Sequence, residues 1–421
     1  MNDMKFFSNR KLRTEHFAIG MMFVLTFLTG LVYQQLLSFG IIICCTILLF
    51  RDKLFLAFPF IIFYNSFYGL LFGVSVLRLY TILVFFNLIF RFSNNHLTKI
   101  KYFLPFFVYT LYLLTVMLPN GYLQALYILS EILCCFIIVS DLTTKTNVIY
   151  SFFKIYVVVC FCSYFTGMIY KNTIGGIYDY IRFNGTFEDP NYMGFFFTVA
   201  VFATVTLELF HKKIRYVVVA LLYVMLLTTL SMTAIVVNIA VWFFYLVIMK
   251  KIRLKSVVII ALIICAAISL FSYGIENPDT PMIGDLSSRI DEKFQSFLLG
   301  DINSVTTGRT NLASNNMKYY LSKSWNKILF GGIPVNSRYI HPDLHGASHN
   351  EYVDILLNVG VVGAVIMFGY FLTNMFLYIR KYHEMNDKKY LFFTISKVVW
   401  LCYAMGLTMF IDYRFMLIFL I

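Results

Sequence analysis

Residues 232–249 read MTAIVVNIAVWFFYLVIM, without a charged side chain, and Lys250, Lys251, Arg253 and Lys255 follow at once. An apolar run of this length is close to the roughly 20 residues a helix needs to cross a bilayer core. A basic cluster at its end reads as a cytoplasmic flank. The same alternation recurs along the chain, with apolar runs at about 17–33, 35–50, 54–73, 77–91, 102–118, 122–140, 148–170, 191–210, 215–230, 232–249, 256–273, 350–379 and 391–411 and a short apolar tail after Arg414. The expected fold is therefore an all-α integral membrane protein, one polytopic domain over 1–421, with about 13 (12–14) transmembrane helices. Composition agrees: 60% of the 421 residues are hydrophobic and 13% charged, too apolar for one water-soluble core.

Orientation follows from the breaks between runs. Lys5/Arg10/Lys11/Arg13, Arg51/Lys53, Arg91/Lys99/Lys101, Lys145, Lys212/Lys213/Arg215, Lys250 to Lys255 and Arg380/Lys381/Lys388/Lys389 occupy every second break. These are read as cytoplasmic, which makes the N-terminus cytoplasmic too. The net charge of +13 would suggest nucleic acid in a soluble protein; here it faces anionic headgroups, and nucleic acid is set aside. All eight cysteines lie in apolar runs, so no disulfide framework is expected. Basic Met1–His16 leads into the first run without a small-residue cleavage site, which reads as a retained first helix.

Two outward segments differ from the rest. Lys171–Asn191 and the large extracytoplasmic loop, residues 274–349, are polar and hold arginines that the positive-inside rule does not favour there. In Arg182-Phe183-Asn184-Gly185-Thr186-Phe187-Glu188-Asp189-Pro190-Asn191-Tyr192, Asp189 can cap a helix that opens on Pro190. Arg182 before a helix N-terminus makes a phosphate site, or a headgroup anchor. In the loop, Gly308-Arg309 precedes an interfacial helix near 311–323, then Trp325 and Gly331-Gly332. Arg309 is a second phosphate candidate. Tyr319, Tyr320 and Trp325 could stack on sugar rings or form an interfacial belt. Ser348-His349-Asn350-Glu351 reads as a capping box that places His349 at the first helical position, where the dipole keeps its ring neutral. The i, i+4 spacing of His341, His345 and His349 would suit zinc on an unbroken helix, but Pro342 and Gly346 argue against one, so no metal site is assigned. Glu131 and Asp354 are ionisable groups at or near membrane depth, and Asp354 could share the pocket of His349. No Walker A, GxGxxG, GxSxG, HExxH or CxxC motif is present.

Taken in order, Arg182…Gly185…Pro190-Asn191, Gly308-Arg309 with its helix and Gly331-Gly332, and His349-Asn350 leading into Leu356-Leu357-Asn358-Val359-Gly360-Val361-Val362-Gly363 resemble the O-antigen polymerase and O-antigen ligase superfamily of bacterial polysaccharide assembly. The resemblance covers most of the chain; Ser231-Met232 departs from it, where many relatives have Ser-Arg. It implies a metal-independent, cofactor-free, inverting glycosyltransferase at the outer face of the bacterial cytoplasmic membrane. The donor would be an undecaprenyl diphosphate-linked oligosaccharide, with its diphosphate on Arg182 and Arg309, and His349 as the group that engages the acceptor hydroxyl. Asn191, Tyr319, Tyr320, Trp325, His345, Asn350 and Asp354 are candidate acceptor or sugar contacts. Membrane lipids, a chain-length regulator and a flippase are the implied partners. A ligase acting on a different acceptor is the alternative within the same chemistry. A flippase or transporter is a third, against which stand the long outward loop and the lack of inverted repeats.

Overall fold

The computed structural model describes residues 2–29, 31–65, 68–71, 73–90, 107–108, 110–114, 122–144, 146–169, 183–249, 272–277, 280, 283–306, 308–335, 341, 343–344, 346–409 and 412–421. Among the described residues the regular structure is helical, apart from isolated bridges at Thr29 with Val32 and Leu71 with Val74. The helices are α1 (Asn2–Phe27), α2 (Gln34–Leu49), a 3-10 turn (Leu54–Ala57), α3 (Phe58–Tyr64), α4 (Val76–Phe90), α5 (Tyr122–Thr144), α6 (Thr146–Ile169), α7 (Pro190–Thr206), α8 (Lys212–Thr228), α9 (Met232–Ile248), α10 (Ile283–Leu298), α11 (Ile302–Val305), α12 (Arg309–Leu321), α13 (Trp325–Phe330), α14 (Glu351–Met385), α15 (Lys388–Ala404) and α16 (Tyr413–Leu420).

Among the described residues, three helical segments are long and apolar enough to cross a membrane: Leu126–Thr143, Asn147–Ile169 and Glu351–Met385. Shorter apolar helices include Gln34–Leu49, Pro190–Thr206 and Met232–Ile248. The expected runs 102–118 and 256–273 lie largely outside the described residues. The run 54–73 is not one span, because its helix stops at Tyr64, and the Gly69 carbonyl accepts from the Ser38 hydroxyl (2.8 Å) instead of a helical N–H. Exposed apolar stripes support a lipid setting. On α9, Val236, Ile239, Phe243 and Val247 face outward along one side, at helical spacing. In water such a stripe would be an aggregation liability; against acyl chains it is ordinary.

Contacts between breaks follow the charge alternation. Glu208 pairs with Arg215 (3.2 Å) and with Lys388, joining two basic breaks at one end of the bundle. At the other end Ser231 Oγ donates to Asn191 Oδ1 (2.6 Å), Phe183 N–H to Thr228 O (3.2 Å) and Met409 N–H to Glu351 Oε2 (2.6 Å). The main apolar core runs through the bundle, while a second, small core of Tyr320, Ile333, Val335, Leu344, Val353 and Leu357 lies under the loop. The first turns of α14 serve both, since Val353 and Leu357 face the small core and Ile355 and Val359 the large one.

The apolar run 350–379 is not one continuous helix either. Gly360 (φ 64°, ψ −173°) leaves helical geometry and divides α14. The Leu357 and Asn358 carbonyls, left open by the break, accept from Ile333 N–H and Gly332 N–H (both 3.0 Å). Backbones cross so closely here that a Cβ on Gly360 would lie 2.4 Å from Leu329 O, and one on Gly331 would lie 2.5 Å from Asn358 O. Asn358 completes the joint: Nδ2 donates to Val335 O (2.6 Å), and Oδ1 accepts from Val335 N–H (3.1 Å).

Candidate functional site

Asp189 caps α7 as its spacing predicts, with Pro190 in the first turn and the Asp189 carboxylate accepting from Asn191 N–H (2.7 Å) and Asn191 Nδ2 (2.8 Å). Asn191 is buried, and its Oδ1 is taken by Ser231. It therefore acts as a strut between the starts of α7 and α9, where a sugar contact was expected. Arg182 lies outside the described residues. Its neighbour Phe183 is fixed on Thr228 and packs against Tyr164 with the rings tilted by 56° (4.5 Å between ring centroids), at the same end of the bundle.

Gly308, with a left-handed φ of 81°, turns the chain so that Arg309 opens α12. The Arg309 Nη1 donates to Gly406 O (2.6 Å), which ties the loop segment to the end of α15. Its other N–H groups make no hydrogen bond to a described residue, so the guanidinium is anchored at one corner and available at the rest.

The capping box at Ser348 does not form. Asn350 is the cap of α14, its Oδ1 accepting from Tyr352 N–H (3.1 Å) and Val353 N–H (3.4 Å). The box partners are engaged elsewhere: Ser348 Oγ bonds Asp354 Oδ1 (2.6 Å), and Glu351 accepts from Met409 N–H. His349 consequently sits one residue before the cap with φ 50°, not at the first helical position. Its pKa is nonetheless lowered, first by burial and then by the Arg309 charge, partly offset by Asp189. The shift favours the neutral imidazole, which makes no side-chain hydrogen bond with a described residue. Arg309 and Asp189, both far from His349 in sequence, are the charges that act on it.

Residues 406–409 and Asp412 tie these elements together. Gly406 holds Arg309, Thr408 Oγ1 donates to Asp354 Oδ2 (3.0 Å), Met409 binds Glu351, and Asp412 caps α16. Asp354 is fully buried and braces Ser348 against Thr408, so it supports the turn that carries His349. The sequence reading missed Arg414, whose guanidinium is forked on Asp412 (Nη2 to Oδ2, 2.5 Å) and lies 5.1 Å from the Tyr192 ring centroid. Like Arg182 and Arg309, Arg414 is an arginine near a sparsely basic break.

The remaining candidates divide. Tyr320 is buried and donates to Ile328 O, a core role. Trp325 is 77% exposed at the start of α13. Tyr319 donates to Asp343 Oδ2 (2.6 Å), which lowers the Asp343 pKa, and Lys323 lies over its ring (3.8 Å). His345 lies outside the described residues. Among the described residues, no three His, Cys, Asp or Glu side chains gather at a spacing suited to a metal. No protein-family model matches the chain, and no curated protein matches it.

Proposed function

We propose that this chain is a polysaccharide polymerase that transfers a glycan from a polyprenyl diphosphate carrier to the acceptor sugar of another lipid-linked repeat unit. On this reading it crosses the bacterial inner membrane about 13 times, with a cytoplasmic N-terminus, and works at the outward end of the bundle. The observation that carries the reading is a half-buried imidazole, without a side-chain hydrogen bond among the described residues, under the charge of an Arg309 guanidinium that is held at one corner only. The acceptor hydroxyl would give its proton to His349 as its oxygen bonds the anomeric carbon. The C–O bond to the diphosphate breaks with inversion, and the polyprenyl diphosphate leaves with the electron pair. Arg309, with Arg182 as its assigned partner, would stabilise that growing negative charge.

The test is a transfer assay with purified protein and undecaprenyl diphosphate-linked repeat units, read as a ladder of products. His349→Ala should reduce transfer by about two to four orders of magnitude, the range for a lost general base. Arg309→Lys keeps the charge but loses the fork, so it should cost at least about tenfold. Wild-type ladders from both variants, at normal protein levels, sink the reading.

A further inference from the structure

Helix α10 differs in kind from the helices of the bundle. Arg289, Asp291, Glu292 and Lys293 place four charges within five residues, too many to bury in hydrocarbon. Ser288, Glu292, Gln295 and Ser296 share one side of the helix, whereas Ile290, Phe294, Phe297 and Leu298 fall on the other at i, i+4, i+7 and i+8. That apolar side is open: Phe294 is 55% exposed, and Phe297 and Leu298 are each 63% exposed. In water such a face would be an aggregation liability. A helix with one charged side and one side of Phe and Leu has the form that lies in the plane of a membrane surface. The sequence suggested an interfacial helix near 311–323, but there α12 turns Ala313, Met317 and Tyr320 onto the small core.

The ties that hold α10 indicate what covers this face. Lys293 Nζ donates to Ser304 O (2.5 Å), Gly308 N–H donates to Asn303 O (2.8 Å), and Arg309 Nη1 donates to Gly406 O. Gly406 in turn lies against Thr233 in the first turn of α9. Three residues, about 4.5 Å along the axis, separate Thr233 from Val236, where the outward apolar stripe of α9 begins. The C-terminal end of α10 is thus linked to the rim of the bundle, at the level where hydrocarbon gives way to water. A second tie holds the loop to the bundle, Tyr112 Oη donating to Phe330 O (2.5 Å). We propose that α10 lies in the bilayer surface at this end of the bundle, with Phe294, Phe297 and Leu298 among the acyl chains of the nearer leaflet and Ser288, Glu292 and Gln295 in the aqueous headgroup layer. The loop is then held flat on the membrane, which keeps Arg309 at headgroup depth. This placement needs only that the bundle sits in a bilayer; it rests neither on the transferase reading nor on the orientation of the chain.

The experiment introduces single cysteines into the full-length protein, Phe294→Cys, Phe297→Cys and Gln295→Cys, and labels each with a nitroxide in nanodiscs of phosphatidylethanolamine and phosphatidylglycerol. Protein without an added cysteine, labelled in parallel, supplies the background, since its described cysteines are buried or half-buried. Power saturation then reports how readily oxygen, which concentrates among acyl chains, and a neutral nickel chelate, which stays in water, reach each label. The ratio of oxygen to nickel accessibility at Phe294→Cys and Phe297→Cys should exceed that at Gln295→Cys by at least about fivefold. Either position on the apolar side suffices if the other variant fails to give a monodisperse protein. Equal ratios at all three positions, with nickel reaching each, would put the face in water and overturn the placement. Labels at 294 and 297 closed to both reagents would show the face covered by protein, a second copy or a partner, and would overturn it as well.

Discussion

Replacing Gly360 by alanine tests the joint on which the site depends. Its φ and ψ of 64° and −173° lie where side chains other than glycine's cost roughly 1–3 kcal/mol. The added methyl would also meet Leu329 O at 2.4 Å and Gly331 N at 2.5 Å, backbone atoms that cannot swing away, and overpacking of this kind costs about 1–3 kcal/mol more. Together Gly360→Ala should destabilise the fold by about 2–6 kcal/mol. The chain could escape by straightening α14, but that surrenders the Gly332–Asn358 and Ile333–Leu357 bonds and displaces the turn holding His349. Gly369→Ala is the matched control, since a Cβ there meets nothing within 4 Å, and alanine in a helix should be neutral or stabilising. The assay is the temperature at which half of the detergent-purified protein is lost from the monodisperse gel-filtration peak, alongside the product ladder. Gly360→Ala should fall by several degrees and lose most transfer. A Gly360→Ala protein as stable and as active as Gly369→Ala would refute the broken-helix geometry.

Two further outcomes follow. Because burial and Arg309 lower the His349 pKa, the neutral form persists below the usual imidazole range of about 6.5. Transfer should thus hold as pH falls through 6.5 and decline only lower, whereas a midpoint above 6.5 in the pH–rate profile would remove His349 as the base. Single cysteines at Ser314 and Asn386, both exposed, should label differently in intact cells, Ser314→Cys from outside and Asn386→Cys not; labelling of Asn386→Cys from outside would invert the orientation.

The parts of the site legible in sequence were those set by near neighbours. Asp189-Pro190 declares a helix start because both act within one turn. The Ser348/Glu351 box has the same local form, yet Glu351 is claimed by Met409, 58 residues on, and Ser348 by Asp354. Local spacing cannot weigh such distant partners. Gly360 was visible within an apolar run, but the need for it arises from Leu329 and Gly331 crossing behind it. Tyr320 offered the same aromatic ring as Tyr319; only the packing shows that one is core and the other carries Lys323 over its ring.

The break in α14 also bears on how the site would respond to the membrane around it. From Val361 to Ile379, before the Arg380/Lys381 break, the apolar part of the helix is about 28 Å long at 1.5 Å per residue, close to the roughly 30 Å of hydrocarbon in an average bilayer. A helix matched to one bilayer would tilt in a thinner one. An unbroken helix would pass each change of tilt directly to the turn before Asn350. Here the nine residues before Gly360 are held by the 331–335 segment and by the small core under the loop, so they belong mechanically to the outer layer. A change in lipid chain length would then be absorbed at Gly360, leaving His349 and Arg309 in register across membranes of differing thickness.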